Sequence, residues 1–111
     1  MLTVVLDTNV LVSSLLSQKS WLAKILDLIL DDYIQVAYDD RILGEYEEVL
    51  ARPELHLPSP RVLAVIDHIE LAGKFVTPNP LSTEGNTDPD DIMFVEVFIT
   101  SNADAVVRTE R

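Results

Sequence analysis

The run Leu2-Thr3-Val4-Val5-Leu6-Asp7-Thr8-Asn9-Val10-Leu11 decides how the rest of the chain is read. It begins as a short aliphatic and β-branched stretch, the composition of a strand buried on both faces. It breaks at Asp7-Thr8-Asn9 and resumes with Val10, Leu11, Val12, Leu15 and Leu16 at a spacing that suits a short helix. Asp7 therefore stands at the carboxyl end of a first strand. In open parallel sheets ligands bind just beyond those ends, so this carboxylate is a candidate for holding a metal or a reacting group. Asp-Thr-Asn is equally a helix N-cap cluster, with side-chain oxygens suited to the first free N–H groups. Partners for Asp7 elsewhere in the chain decide between the two readings.

Working outward, the short helix ends near Ser17-Gln18-Lys19, and Ser20 can cap a second. Trp21, Leu22, Ile25, Leu26 and Ile29 form its apolar stripe, which stops near Asp31-Asp32. Tyr33 to Tyr38 is aromatic and β-branched and predicts a second strand. Asp39 and Asp40 can cap a third helix with the stripe Ile42, Tyr46, Val49 and Leu50, ending before Pro53. Glu45 and Glu47 both border that stripe, and periodicity does not separate them. After a loop from Arg52 to Pro58, Ser59-Pro60 opens a fourth helix, a cap followed by proline. Val62, Val65, Ile66 and Ile69 mark its buried face and Gly73 its stop. Lys74 to Thr77 is a brief third strand, and Pro78 to Thr87 an irregular loop.

Asp88-Pro89-Asp90-Asp91 begins the fifth helix. Asp91, Phe94, Val95 and Phe98 fall at i, i+3, i+4 and i+7, which sets a carboxylate in line with an apolar face. Asp88 as cap, with acids favouring the positive end of the helix dipole, accounts for Asp90 equally well. Ala103 to Val107 predicts a fourth strand, running into Arg108-Thr109-Glu110-Arg111. Strands alternating with helices, and no hairpin signal, predict parallel crossovers and an α/β three-layer domain. Glu110, just after a buried strand, then occupies the same kind of position as Asp7.

With 111 residues, 48% of them hydrophobic, residues 1–111 are expected to form a single domain around one core. The chain has no cysteine, which rules out disulfide and thiolate metal sites and is compatible with a reducing cytoplasm. Trp21 to Leu30 is interrupted by Lys24 and Asp27, and the start lacks a basic leader followed by an apolar stretch, so neither membrane nor export is indicated. Nineteen acidic residues against eight basic ones give a charge of −11, which argues against broad non-specific binding to a phosphate backbone. A nucleic-acid enzyme remains compatible, because carboxylates that recruit divalent cations reverse the local field. His56 and His68 read as solvated surface groups, and Trp21 with the three tyrosines makes no stacking platform for bases.

The order of motifs Leu6-Asp7-Thr8-Asn9-Val10-Leu11, Ile42-Leu43-Gly44-Glu45-Tyr46-Glu47-Glu48-Val49-Leu50, Asp88-Pro89-Asp90-Asp91-Ile92-Met93-Phe94 and Ala103-Asp104-Ala105-Val106-Val107 resembles the PIN-domain family of metal-dependent ribonucleases. Within it, the chain is similar to the VapC-like toxins of toxin–antitoxin systems. The resemblance covers essentially the whole chain and implies a parallel sheet in the order 3-2-1-4-5 with helices on both faces. It implies four acids at the switch point holding Mg²⁺ or Mn²⁺: Asp7, Glu45, Asp91 and Glu110, with Asn9 and Asp88 in support. Analogy thus selects Glu45 over Glu47.

The implied activity is hydrolysis of single-stranded RNA, and the implied partners are an antitoxin protein and a second copy in a homodimer. Clustered carboxylates repel one another, and a divalent ion relieves that repulsion. Two departures stand out. Where the family shows a small hydroxyl residue, glycine and aspartate after the fourth strand, this sequence has Arg108, Thr109 and Glu110, and Arg108 can compete for the acids. The family's last helix and fifth strand would lie beyond Arg111, so the domain is expected to be shortened at its C-terminus. The alternative left open is a PIN-like domain that binds metal or a protein without turnover. A haloacid-dehalogenase-type phosphatase expects an aspartate where Asn9 stands. A response-regulator receiver expects paired acids near the first strand and a lysine after the last, and both are missing.

Overall fold

Val4, Val5 and Leu6 are buried, as the opening run requires, and they form the inner half of strand β1 (Leu2–Leu6). The computed structural model describes residues 1–17, 21–80 and 89–108. The expected cap at Ser20, the loop after Pro80, the cap at Asp88 and the candidate ligand Glu110 lie outside them. Helices α1 (Thr8–Leu16) and α2 (Trp21–Leu30) lead to β2 (Ile34–Tyr38). Then α3 (Asp40–Leu50), a single 3₁₀ turn at Pro53–Leu55 and α4 (Ser59–Ala72) lead to β3 (Lys74–Phe75), and α5 (Pro89–Ser101) leads to β4 (Ala105–Val107).

All pairings are parallel, and the sheet runs β3-β2-β1-β4. The chain steps outward from β1 to β2 to β3 and then returns to the far side of β1. Right-handed crossovers therefore put α5 on the face opposite the helices of the first two connections, giving three α/β/α layers. The step back also makes the junction of β1 and β4 the switch point of the sheet. There the register pairs Leu6 with Val107, and the Asp7 N–H donates to the Val107 carbonyl at 3.0 Å. Asp7 and Arg108 thus leave the sheet side by side.

Local chemistry sets the element ends. Asp39 caps α3 by accepting from the Ile42 N–H at 3.0 Å. It is buried because Arg41 neutralises it: Arg41 bridges Asp39 Oδ2 and Glu96 Oε1, both at 2.7 Å. Burial opposes the charge of Arg41, and the hydrogen bonds to Glu96 and Asp39 more than offset that, raising its pKa. Buried carboxylates persist only when paired in this way, so the bridge ties α3 to α5. The Lys74 ammonium donates to the Ser101 carbonyl at 2.6 Å, a cation at the negative end of α5.

Several details differ from the sequence expectations. Helix α1 starts at Thr8 rather than at the apolar run, because Asp7 is its cap. Trp21 is 63% exposed, while Leu22, Ile25, Leu26 and Ile29 of the same stripe pack in or against the core. Tyr33 is exposed and precedes β2, and β3 ends at Phe75, although the Val76 N–H still donates to the Tyr38 carbonyl at 2.9 Å. Ser59 is the first residue of α4 rather than its cap, the cap being Pro58. On α5 the buried face is Phe94 and Val97 with Glu96, while Val95 lies at its border, 37% exposed. That face is set by the sheet and by Arg41 rather than by the i, i+4 spacing of Val95. β4 starts at Ala105, two residues later than expected, because Asn102 turns the chain with φ 57°. Asp104 then clips the strand start to Thr3, whose N–H donates to Asp104 Oδ2 at 2.9 Å. His68 is half-buried rather than solvated, its Nε2 lying 2.9 Å from Asp32 Oδ1.

Candidate functional site

Asp7 caps α1 and also lines a pocket. Its backbone is extended, with φ −61° and ψ 140°, and Oδ1 accepts from the Asn9 N–H at 3.2 Å, which caps α1. Its side chain also lines a pocket of about 100 Å³ together with Asp91, Phe94, Val95, Val106 and Arg108. The capping bond orients the carboxylate at the mouth of the switch point.

Asp91 enters the same pocket from the first turn of α5, whose packing against β1 and β2 sets its height above the sheet. It is partly exposed, and its Oδ2 lies 3.3 Å from Arg108 Nη2. Glu45 is brought near by a different route. The Thr8 hydroxyl, buried at the start of α1, donates to Glu45 Oε2. One residue on, the Tyr46 hydroxyl donates to the Leu6 carbonyl at 2.6 Å. These two bonds latch α3 onto the strand-to-helix turn that carries Asp7. Glu47 faces solvent on the other side of α3 and lines an apolar groove against α4 instead.

The structure therefore gathers Asp7 and Asp91 in one pocket, while Glu45 is tied to Thr8, the residue after Asp7, and does not line that pocket. Asn9 contributes its backbone N–H, while its side chain is exposed. Two residues escaped the sequence reading. Thr8 passed as part of a cap cluster, and Tyr46 as an ordinary member of an apolar stripe. A buried phenol must find a hydrogen-bond partner, and that requirement was the available signal for Tyr46.

Tyr46 is fully buried, and burial, then the charges of Asp7, Glu45 and Asp39, push its phenol well above the ordinary 10.0. The unfolded chain releases this proton near pH 10 while the folded chain keeps it. Above that pH the unfolded state binds fewer protons, so stability falls as pH rises. Its contribution is complete below about pH 10 and declines above it by up to about 1.4 kcal/mol per pH unit. Denaturant melts between about pH 9 and about pH 11 are expected to show a steeper loss for the native chain than for Tyr46→Phe. Equal slopes would mean that the phenol ionises in the folded state. Tyr38, also raised by burial and by Glu70 and Asp40, contributes a similar loss in both proteins.

The donor set is one of hard carboxylate oxygens, which suits Mg²⁺ or Mn²⁺ rather than a softer metal. Among the described residues no three acidic or histidine side chains converge closely enough to enclose an ion. Two carboxylates at an open pocket still fit magnesium, which keeps several waters and is commonly bound by one or two carboxylates plus substrate phosphate. No helix among the described residues is long and apolar enough to cross a membrane.

A parallel, three-layer α/β/α sheet whose acidic side chains meet at the switch point between β1 and β4 belongs to the doubly wound α/β class, with its ligand crevice in the usual place. The PIN-domain family model matches residues 3–110, and the chain belongs to that family. PIN domains are generally nucleases and generally use divalent metal ions. No curated protein and no solved structure matches the chain.

Proposed function

We propose that the protein is a PIN-type endoribonuclease that hydrolyses phosphodiester bonds in single-stranded RNA with Mg²⁺ or Mn²⁺. The observation that carries the reading is the convergence of Asp7 and Asp91 on one pocket at the switch point. Asp7 and Asp91 are assigned as the main metal-holding groups, Glu45 as a ligand or water-orienting base, and Glu110 as a further ligand. Asn9 and Asp88 are assigned supporting roles. A bound divalent ion supplies positive charge for the phosphate and Lewis acidity at the reacting oxygens.

The chain's own residues supply position. The α1 cap fixes Asp7, the Arg41 bridge fixes α5 and with it Asp91, and the Thr8 hydroxyl fixes one oxygen of Glu45. Phe94, Val95 and Val106 give the pocket an apolar wall, which strengthens charge interactions inside it. As a toxin of a toxin–antitoxin pair, the protein would meet a basic partner, and a net charge of −11 supports that. A homodimer has support in the exposed apolar side chains Leu16, Trp21, Leu28 and Leu30 of the first two helices.

The test is cleavage of a labelled single-stranded RNA and of the DNA of the same sequence, with Mn²⁺ and with EDTA. Cleavage of RNA alone, stopped by EDTA, is the expected result. Equal cleavage of DNA would overturn the choice of RNA. Retained Mn²⁺ binding without cleavage would favour the binding-only domain, a reading to which the Arg108–Asp91 ion pair lends weight.

A further inference from the structure

The pocket that gathers Asp7 and Asp91 already contains a cation of the chain's own. Parallel pairing of Leu6 with Val107 makes Arg108 the lateral neighbour of Asp7 at the end of the sheet. Arg108 and both carboxylates line one pocket of about 100 Å³, so the guanidinium and any ion held there face the same two carboxylates. The guanidinium lies 3.3 Å from Asp91 Oδ2. Two carboxylates facing one small space repel, and a positive group between them relieves that repulsion whether it is a metal ion or an arginine.

We propose that Arg108 is the resident counter-ion of this pocket and that a divalent ion must displace it from Asp91 to bind. Arg108 thereby sets the metal affinity of the site. The inference rests on the reading of Asp7 and Asp91 as the metal-holding pair. Two physical terms act in the same direction. The ion pair with Asp91 is lost when the metal enters, and a guanidinium left nearby repels the doubly charged ion. Both groups of the pair are about half exposed, 56% for Arg108 and 43% for Asp91, so each term is moderate and sensitive to salt. The same exposure means that Arg108 can be replaced without opening a hole in the core.

The test measures Mn²⁺ binding by electron paramagnetic resonance or calorimetry, without RNA and without reference to turnover. The native chain is compared with Arg108→Thr and Arg108→Lys, with circular dichroism as the check on folding. Arg108→Thr is expected to bind Mn²⁺ more tightly by up to about fivefold, the scale of a surface-type ion pair. Arg108→Lys keeps the charge but loses the planar fork, and is expected to fall between the two. The gain in Arg108→Thr should shrink as ionic strength rises, a dependence that a purely structural effect of the substitution would not show. Equal Mn²⁺ affinity in the native chain and Arg108→Thr would overturn the role of Arg108 while leaving the metal site standing. Absence of Mn²⁺ binding in all three would overturn the metal reading of Asp7 and Asp91, and this inference with it.

Discussion

Asp7→Asn is expected to abolish metal-dependent RNA cleavage while leaving the fold almost unchanged. The substitution separates the two functions that Asp7 combines. Asparagine caps a helix about as well as aspartate, so the bond from the Asn9 N–H survives and α1 should lose only a few tenths of a kcal/mol. The negative charge at the pocket is gone, however, and a neutral amide is a poor ligand for a hard divalent ion. Loss of groups that merely support a metal ligand costs about 10- to 100-fold, so loss of the ligand's own charge should reduce Mn²⁺ affinity and cleavage by at least about 100-fold. Asp7→Ala provides the contrast, since it also removes the cap and should cost about 1 kcal/mol of stability. Cleavage that persisted in Asp7→Asn would reduce Asp7 to a helix cap and move the site elsewhere. Thermal melts and Mn²⁺ titrations of both variants read the two functions independently.

The same doubling explains why the opening run was so informative. A strand, an acid and a helix start in ten residues specify a buried first strand and the end of it where ligands bind, and the alternation of later strands and helices supplies the parallel crossovers. Period and composition also located α3 and α4, whose buried faces of Ile42, Tyr46 and Leu50 and of Val62, Val65, Ile66 and Ile69 emerged as expected. Helix α5 was harder. Ile92, Met93, Phe94, Val95, Val97, Phe98 and Ile99 leave little polar face to orient it, so local spacing chose Val95 where the sheet chose Val97. Glu96 is buried because of Arg41, a partner 55 positions away that no local pattern reveals. For the candidate site, the sequence pointed to positions whose placement can be compared with the structure. Asp7 and Asp91 do converge, and Glu45 is distinguished from Glu47 by the Thr8 hydroxyl, which is a contact between distant segments. Periodicity along α3 carries no information about that contact, and only the family resemblance preferred Glu45 in advance.

Gly73→Ala is expected to destabilise the protein by about 3 kcal/mol, through packing alone. Gly73 was expected to end α4 and is its C-cap, with φ −75° and ψ 173°, an extended geometry open to any residue. Conformational entropy would therefore favour alanine here by about 0.4–1 kcal/mol. Space is what forbids it. A Cβ on residue 73 would lie 2.3 Å from the Ile69 carbonyl oxygen, 2.7 Å from that of Val36 and 2.9 Å from Tyr38 Cε1. Two of these neighbours are backbone, one in α4 and one in β2, and neither can rotate aside. Relief requires α4 to move away from β2, which would strain the bonds from the Gln35 amide to the Ala72 carbonyl and from the Tyr38 hydroxyl to the Glu70 carbonyl, both 3.1 Å. For a chain of this size the midpoint of thermal unfolding should fall by more than about 10 °C. The effect should also reach the pocket, because β2 runs directly into Asp39, the cap of α3, and α3 carries Glu45 and Tyr46. Cleavage measured well below the new midpoint should drop with metal affinity if that linkage is rigid. An unchanged or raised midpoint would show instead that α4 and β2 separate at little cost, and that glycine is dispensable at this crossing.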